Sequence, residues 1–247
     1  MPSEFELLQV LGVIMLGTYG FAAFTAFRIR STLGAGDYRR QALGIGLLAI
    51  VFAAWAAVFV LNLWEQGTGG VVIGVTFMIL AYVTLFYWVD SSAIAAKRTD
   101  PLYRDSLRWN SIRRVLWLAM TLATVTFFAE LAYLILIVGT PLEPQATPLP
   151  VLGAIVVVIF GTLISGCSVL PVSLRRSKDT TLRKQLEWLF LFIAIQLVFA
   201  IYAIGLAYNN PSIDVPAVLV VIIPSGYSLY RSARSLIPLH KFSLDSR

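Results

Sequence analysis

Long apolar runs alternate with short polar clusters along the whole chain, and the lengths of the runs predict the architecture. A hydrocarbon layer of roughly 30 Å needs about 20 apolar residues in helical form. Seven stretches meet that length, at approximately 6–28, 41–64, 70–96, 112–138, 150–174, 184–208 and 214–236. Helix breakers stand between them: "GAGD" at 34–37, "GTGG" at 67–70, "PLEPQATPLP" at 141–150 and "NNP" at 209–211. No connection is long enough for a soluble domain. The pattern therefore predicts an all-α polytopic membrane protein, with residues 1–247 forming a single bundle of seven transmembrane helices. The first run follows an acidic start, "MPSEFELLQV", with neither a basic n-region nor a small-residue cleavage site, and is expected to be retained as a helix.

The polar clusters orient the bundle. All 19 Lys and Arg residues fall on one side of the predicted helices. They follow helix 1 (Arg28, Arg30, Arg39, Arg40), separate helices 3 and 4 (Lys97, Arg98, Arg104, Arg108, Arg113, Arg114) and helices 5 and 6 (Arg175, Arg176, Lys178, Arg183, Lys184), and follow helix 7 (Arg231, Arg234, Lys241, Arg247). The opposite side carries Glu4, Glu6, Glu65, Glu143 and Asp214. The preference of Lys and Arg for cytoplasmic loops predicts an outside N-terminus and a cytoplasmic C-terminus in the cell membrane.

One short pattern occurs twice on the basic side. Asp100, Arg104, Leu107 and Trp109 repeat the spacing of Asp179, Arg183, Leu186 and Trp188. Each Asp is placed to accept the free N–H groups of a first helical turn, and Pro101 suits the first helical position. Each Arg lies four residues on, in reach of that Asp or of phosphate, and each Trp falls where indole rings favour the headgroup zone. A weaker copy, "RSTLGAGDYRRQAL", joins helices 1 and 2. The arrangement reads as three helical hairpins plus a seventh helix. The repeat has two explanations, convergence on capping chemistry and descent from a duplicated hairpin.

Composition supports the membrane reading. With 58% hydrophobic and 13% charged residues, the chain has about half the charge that covers a soluble domain. The net charge of +6 is accounted for by topology and by attraction to anionic lipid headgroups, which leaves no case for nucleic acid. Cys167 is the single cysteine, so no intrachain disulfide forms. His240 is the single histidine and lies beyond the last apolar run, which excludes a bis-histidine haem and the usual His-based zinc or copper sites. No metal and no cofactor is expected. Two stripes of small residues suit close helix packing: Ala42, Gly46, Ala49, Ala53 and Ala57, then Ala154, Gly161, Ser165 and Ser168.

An ionisable side chain at membrane depth is costly and is a candidate for function. Glu130 is one; Thr126 and Tyr133 share its helical face, and Gln196 and Asn62 are further polar candidates. Together Glu130, Thr126, Tyr133 and Gln196 define a candidate intramembrane polar site. Asp90 is the second ionisable residue, with Arg113 or Arg114 placed to snorkel toward it as an inner gate or a salt bridge. Tyr82, Phe86, Tyr87, Trp88, Phe127, Phe128, Tyr202 and Tyr208 could line an apolar pocket or face lipid.

No catalytic set emerges. Asp90 and Glu130 lie in opposite halves of the bilayer, His240 is outside the bundle, and no phosphate-cradling Gly motif is present. Rhodopsins and G-protein-coupled receptors share the seven-helix topology. Retinal would need a lysine within helix 7, and Lys97, Lys178, Lys184 and Lys241 all lie in the basic zone. Two classes remain. One is a non-enzymatic receptor or sensor-like module, or an accessory subunit with a protein partner or a second copy. The other is a small transporter or channel using Glu130 as a cation or proton site.

Overall fold

The computed structural model describes residues 4–61, 63, 68–99, 107–133, 136, 149–209 and 215–237. These form seven helices and no strand: α1 (Glu4–Thr32), α2 (Asp37–Val60), α3 (Thr68–Thr99), α4 (Leu107–Tyr133), α5 (Leu149–Arg176), α6 (Thr180–Asn209) and α7 (Val215–Arg234). Six of them, α1 to α6, are long and apolar enough to cross a membrane. The seventh, α7, is 20 residues long and packs beside α1 and α6.

The helices do not stop where the apolar runs stop. At the basic end α1 continues to Thr32, α5 to Arg176, and α2 begins at Asp37, because the polar caps belong to the helices. Asp179 shows the mechanism: its Oδ1 accepts the N–H groups of Thr181 at 2.8 Å and Leu182 at 3.2 Å. At the other end α2 stops at Val60, short of the expected 64, with Leu61 as its cap. The described part of α4 runs to Tyr133, and the rest of the expected span to 138 falls largely outside the described residues.

Neighbour relations close six helices into a ring in the order α1, α2, α3, α5, α6, α7, with α7 returning to α1. Lipid tails are as apolar as leucine, so helices approach where small residues permit it. A Cβ on Gly226 of α7 would lie 2.1 Å from Thr18 of α1, and one on Gly46 of α2 would lie 2.8 Å from Phe27 of α1. Gly44 admits Trp88 of α3 in the same way, and Gly166 of α5 admits Ile193 of α6. Gly46 of the first small-residue stripe thus serves α1, and Ala42 and Ala49 of the same stripe are fully buried, whereas the approach to α3 is made by Gly44, outside the stripe. In the second stripe Ala154 and Ser165 are buried while Ser168 is exposed.

The fourth helix stands outside the ring. It packs on α5, where Gly161 faces the Met120 sulfur, and touches α3 at few points. Only 17% of its apolar span is buried within the protein, against 39–44% for the other five spans. The expected hairpin of helices 3 and 4 is therefore not a closely packed pair: α3 packs chiefly on α2 and α5.

Candidate functional site

Among the described residues, three groups of buried polar side chains link the helices. The first is a hub at the basic end of the ring. Gln41, in the first turns of α2, is turned inward and 1% exposed. Its Oε1 accepts from Trp88 Nε1 at 2.9 Å, Ser92 Oγ at 2.7 Å and Gln185 Nε2 at 2.9 Å. One side chain thereby ties α2 to α3 and α6, and Ser232 of α7 joins by donating to the Gln185 carbonyl at 3.4 Å. A carbonyl oxygen has two lone pairs, so three donors saturate it. The Gln185 Oε1 is buried and finds no donor among the described residues. Nearby, the Tyr38 hydroxyl donates to Asp179 Oδ2, so the capping carboxylate also fastens α2 to the start of α6.

A second group lies deeper. Ser225 of α7 donates to the Ile222 carbonyl at 3.0 Å, which leaves its oxygen to accept from the Tyr19 hydroxyl of α1 at 2.5 Å. The contact depends on Gly226, whose missing side chain lets α1 and α7 close up. Gln196 of α6 is buried and forms a second neighbour of that hydroxyl. Tyr19 stacks on Phe52 at 5.1 Å, and Phe52 meets Phe192 edge-on at 5.7 Å. Bulky rings with almost no exposure therefore cross the middle of the ring.

The third group holds α4. Arg113 donates from Nε to Asp90 Oδ1 at 2.6 Å and from Nη2 to Oδ2 at 2.8 Å, a bidentate pair. Trp117 Nε1 adds a bond to Asp90 Oδ2 at 3.1 Å, and its ring packs edge-on against Phe86. Asp90 is buried on α3, whereas the Arg113 side chain is 38% exposed at the start of the α4 span. A cavity of about 20 Å³ adjoins the pair, lined in part by Phe86, Leu116 and Ser165. Arg114 is exposed and takes no part in the pair.

The other sequence candidates are distributed differently. Glu130, Thr126 and Tyr133 lie together on α4, with Thr126 and Tyr133 exposed and Glu130 half-buried. Among the described residues none pairs with the Glu130 carboxyl. Gln196 is not with them; it faces Tyr19 inside the ring. Arg183 turns to Glu187 at 3.4 Å instead of its capping Asp, and Trp188 lies under Arg231 at 4.9 Å. Asp100 and Arg104, the Trp109 side chain, Asn62 and the Tyr208 side chain lie outside the described residues.

Sequence reasoning missed Gln41, Gln185 and the Tyr19–Ser225 pair. Gln41 follows Arg40 and Gln185 follows Lys184, so both read as parts of the solvated caps. Their signal is phase: each is flush with the buried face of its helix, as Ile45 and Leu48 are for Gln41, and Leu182 and Leu189 for Gln185.

These features define an all-helical bundle of the multi-pass membrane type, with a polar-tied, filled ring and one peripheral helix. No protein family, no curated protein and no solved structure matches the chain.

Proposed function

We propose that the protein is a non-enzymatic integral membrane module with seven spans, an outside N-terminus and a cytoplasmic C-terminus. In this reading it acts as a receptor-like sensor or as an accessory subunit of a larger complex in the cell membrane. The observation that carries the reading is the filled centre of the ring. Trp88, Tyr19, Phe52 and Phe192 fill the ring at 0–1% exposure, and most of its buried polar groups bond to one another, Gln41 to Trp88, Ser92 and Gln185 and Tyr19 to Ser225. A transport path needs polar surface facing an opening. A sensor or an accessory subunit needs a scaffold and an element free to respond, and α4 is the helix least tied to its neighbours.

The test is native mass spectrometry of the protein extracted in mild detergent from its own membrane. A fixed stoichiometry with a second protein, or with a second copy, is the expected result. Recovery as a bare monomer across all extraction conditions would count against an accessory role.

One observation favours a small transporter or channel instead: the half-buried Glu130, whose carboxyl has no partner among the described residues. In that case Glu130→Gln abolishes substrate-driven proton or cation flux in liposomes while the fold is kept. Flux that persists in the variant removes Glu130 from the account.

A further inference from the structure

The basic end of α7 carries an arginine–aromatic arrangement that neither the topology nor the ring explains. Tyr227 and Tyr230 stand four residues before Arg231 and Arg234. The Arg231 guanidinium lies 4.9 Å from the Trp188 ring centre and donates to the Tyr227 hydroxyl at 3.1 Å. Arg234 repeats the arrangement over Tyr230, donating to its hydroxyl at 3.0 Å. Both guanidinium groups are held in place with N–H donors to spare. Among the described residues no carboxylate forms an ion pair with Arg28, Arg231 or Arg234.

Cavities flank α7 on both sides, and Arg234 lines both. One, of about 330 Å³, lies among Trp188, Arg231, Arg234 and Ser235. The other, of about 430 Å³, is a groove between α1 and α7 with Arg28 and Arg234 at one end and Phe21, Phe24 and Tyr230 along its wall. From Arg28 to Phe21 is seven residues, or roughly 10 Å of helix, the step from a headgroup to the upper acyl chain. Phe21 and Phe24 are 58% and 64% exposed, so the groove opens on the surface that faces lipid.

We propose that this end of α7 binds an anionic phospholipid: Arg231, Arg234 and Arg28 take the headgroup phosphate, and one acyl chain lies along the α1–α7 groove. Guanidinium groups fixed by stacking match the oxygens of a phosphate in pairs. An arginine near the bilayer is costly without an anion, and the phosphate supplies one. The apolar wall running down from the arginines selects a lipid over a free phosphate. The inference rests on the membrane reading and not on a protein partner, so its failure leaves the partner test untouched.

The experiment is native mass spectrometry of the delipidated full chain titrated with dioleoyl phosphatidylglycerol, dioleoyl phosphatidylcholine or inorganic phosphate. Phosphatidylglycerol is expected to bind about tenfold more tightly than phosphatidylcholine, and Arg231→Gln with Arg234→Gln removes that preference. Arg39→Gln with Arg40→Gln, at the same end but outside both cavities, keeps it. Arg231→Lys with Arg234→Lys, which keeps the charge and loses the stacked fork, binds phosphatidylglycerol more weakly than the parent. Three results overturn the proposal: no preference for the anionic lipid, equal loss in the Arg39 and Arg40 variant, or displacement of the lipid by equimolar inorganic phosphate.

Discussion

The six-helix ring and α4 are built from similar residues and end in different states. Five helices of the ring, and α4 itself, are long and apolar enough to cross a membrane. The ring closes because glycines and alanines let its backbones approach and because inward polar groups pair across helices: Gln41 with Trp88, Ser92 and Gln185, and Tyr19 with Ser225. The fourth helix has no glycine between Leu107 and Tyr133. Its exposed face of Val115, Leu118, Leu122 and Val125 is as content in lipid as against protein. Among the described residues, what fixes it is its packing on α5 together with a polar latch, Asp90 with Arg113 and Trp117. In a lipid solvent the amount of apolar surface does not decide which helix is central. Close approach and polar pairing decide it.

That difference can be broken from either side. The largest effect is expected at the hub. Gln41→Leu strands the Trp88 N–H and the Gln185 amide in the core, and unmade buried hydrogen bonds cost about 1–3 kcal/mol each. Thermal unfolding in detergent should show a large fall in the midpoint; an unchanged midpoint would mean that the hub does not hold the ring.

Opening the latch ranks second. Asp90→Asn leaves Arg113 without its counter-ion, and because that side chain is over a third exposed, the loss is expected at about 1–2 kcal/mol. Replacing both partners with leucine should recover most of it, which a double-mutant cycle would measure.

Close approach comes third. Gly226→Ala drives a methyl into Thr18 and separates Tyr19 from Ser225, at about 1–3 kcal/mol of overpacking strain. The smallest effect belongs to the lipid face of α4, where Leu122→Ala should change the unfolding midpoint by no more than about 0.5 kcal/mol equivalent.

The all-helical fold and its apolar helices were legible from run length alone, since about 20 apolar residues admit few other structures. The cap chemistry of Asp179 was legible as well, because it depends on local spacing. The exterior place of α4 was not. Chain order suggests that α3 and α4 pack as a pair, whereas the tight approaches fall between other helices, at Gly226 on Thr18, Gly46 on Phe27, Gly166 on Ile193 and Gly44 on Trp88. Glu130 drew attention by its charge, while Gln41 and Gln185 were hidden by the basic residues beside them. A neutral amide becomes conspicuous only when its helical phase is compared with the buried face.

The central claim is that the Asp90 latch is the polar tie that, with packing on α5, holds α4 to the ring. Hydrogen–deuterium exchange of the protein in lipid nanodiscs tests it most directly, with α2 as the internal reference. The account predicts faster exchange along α4 than along α2, and in Asp90→Asn a further rise of about tenfold in α4 with α2 unchanged. Equal protection of the two helices, or a rise shared by α2 and α4 in the variant, would contradict it.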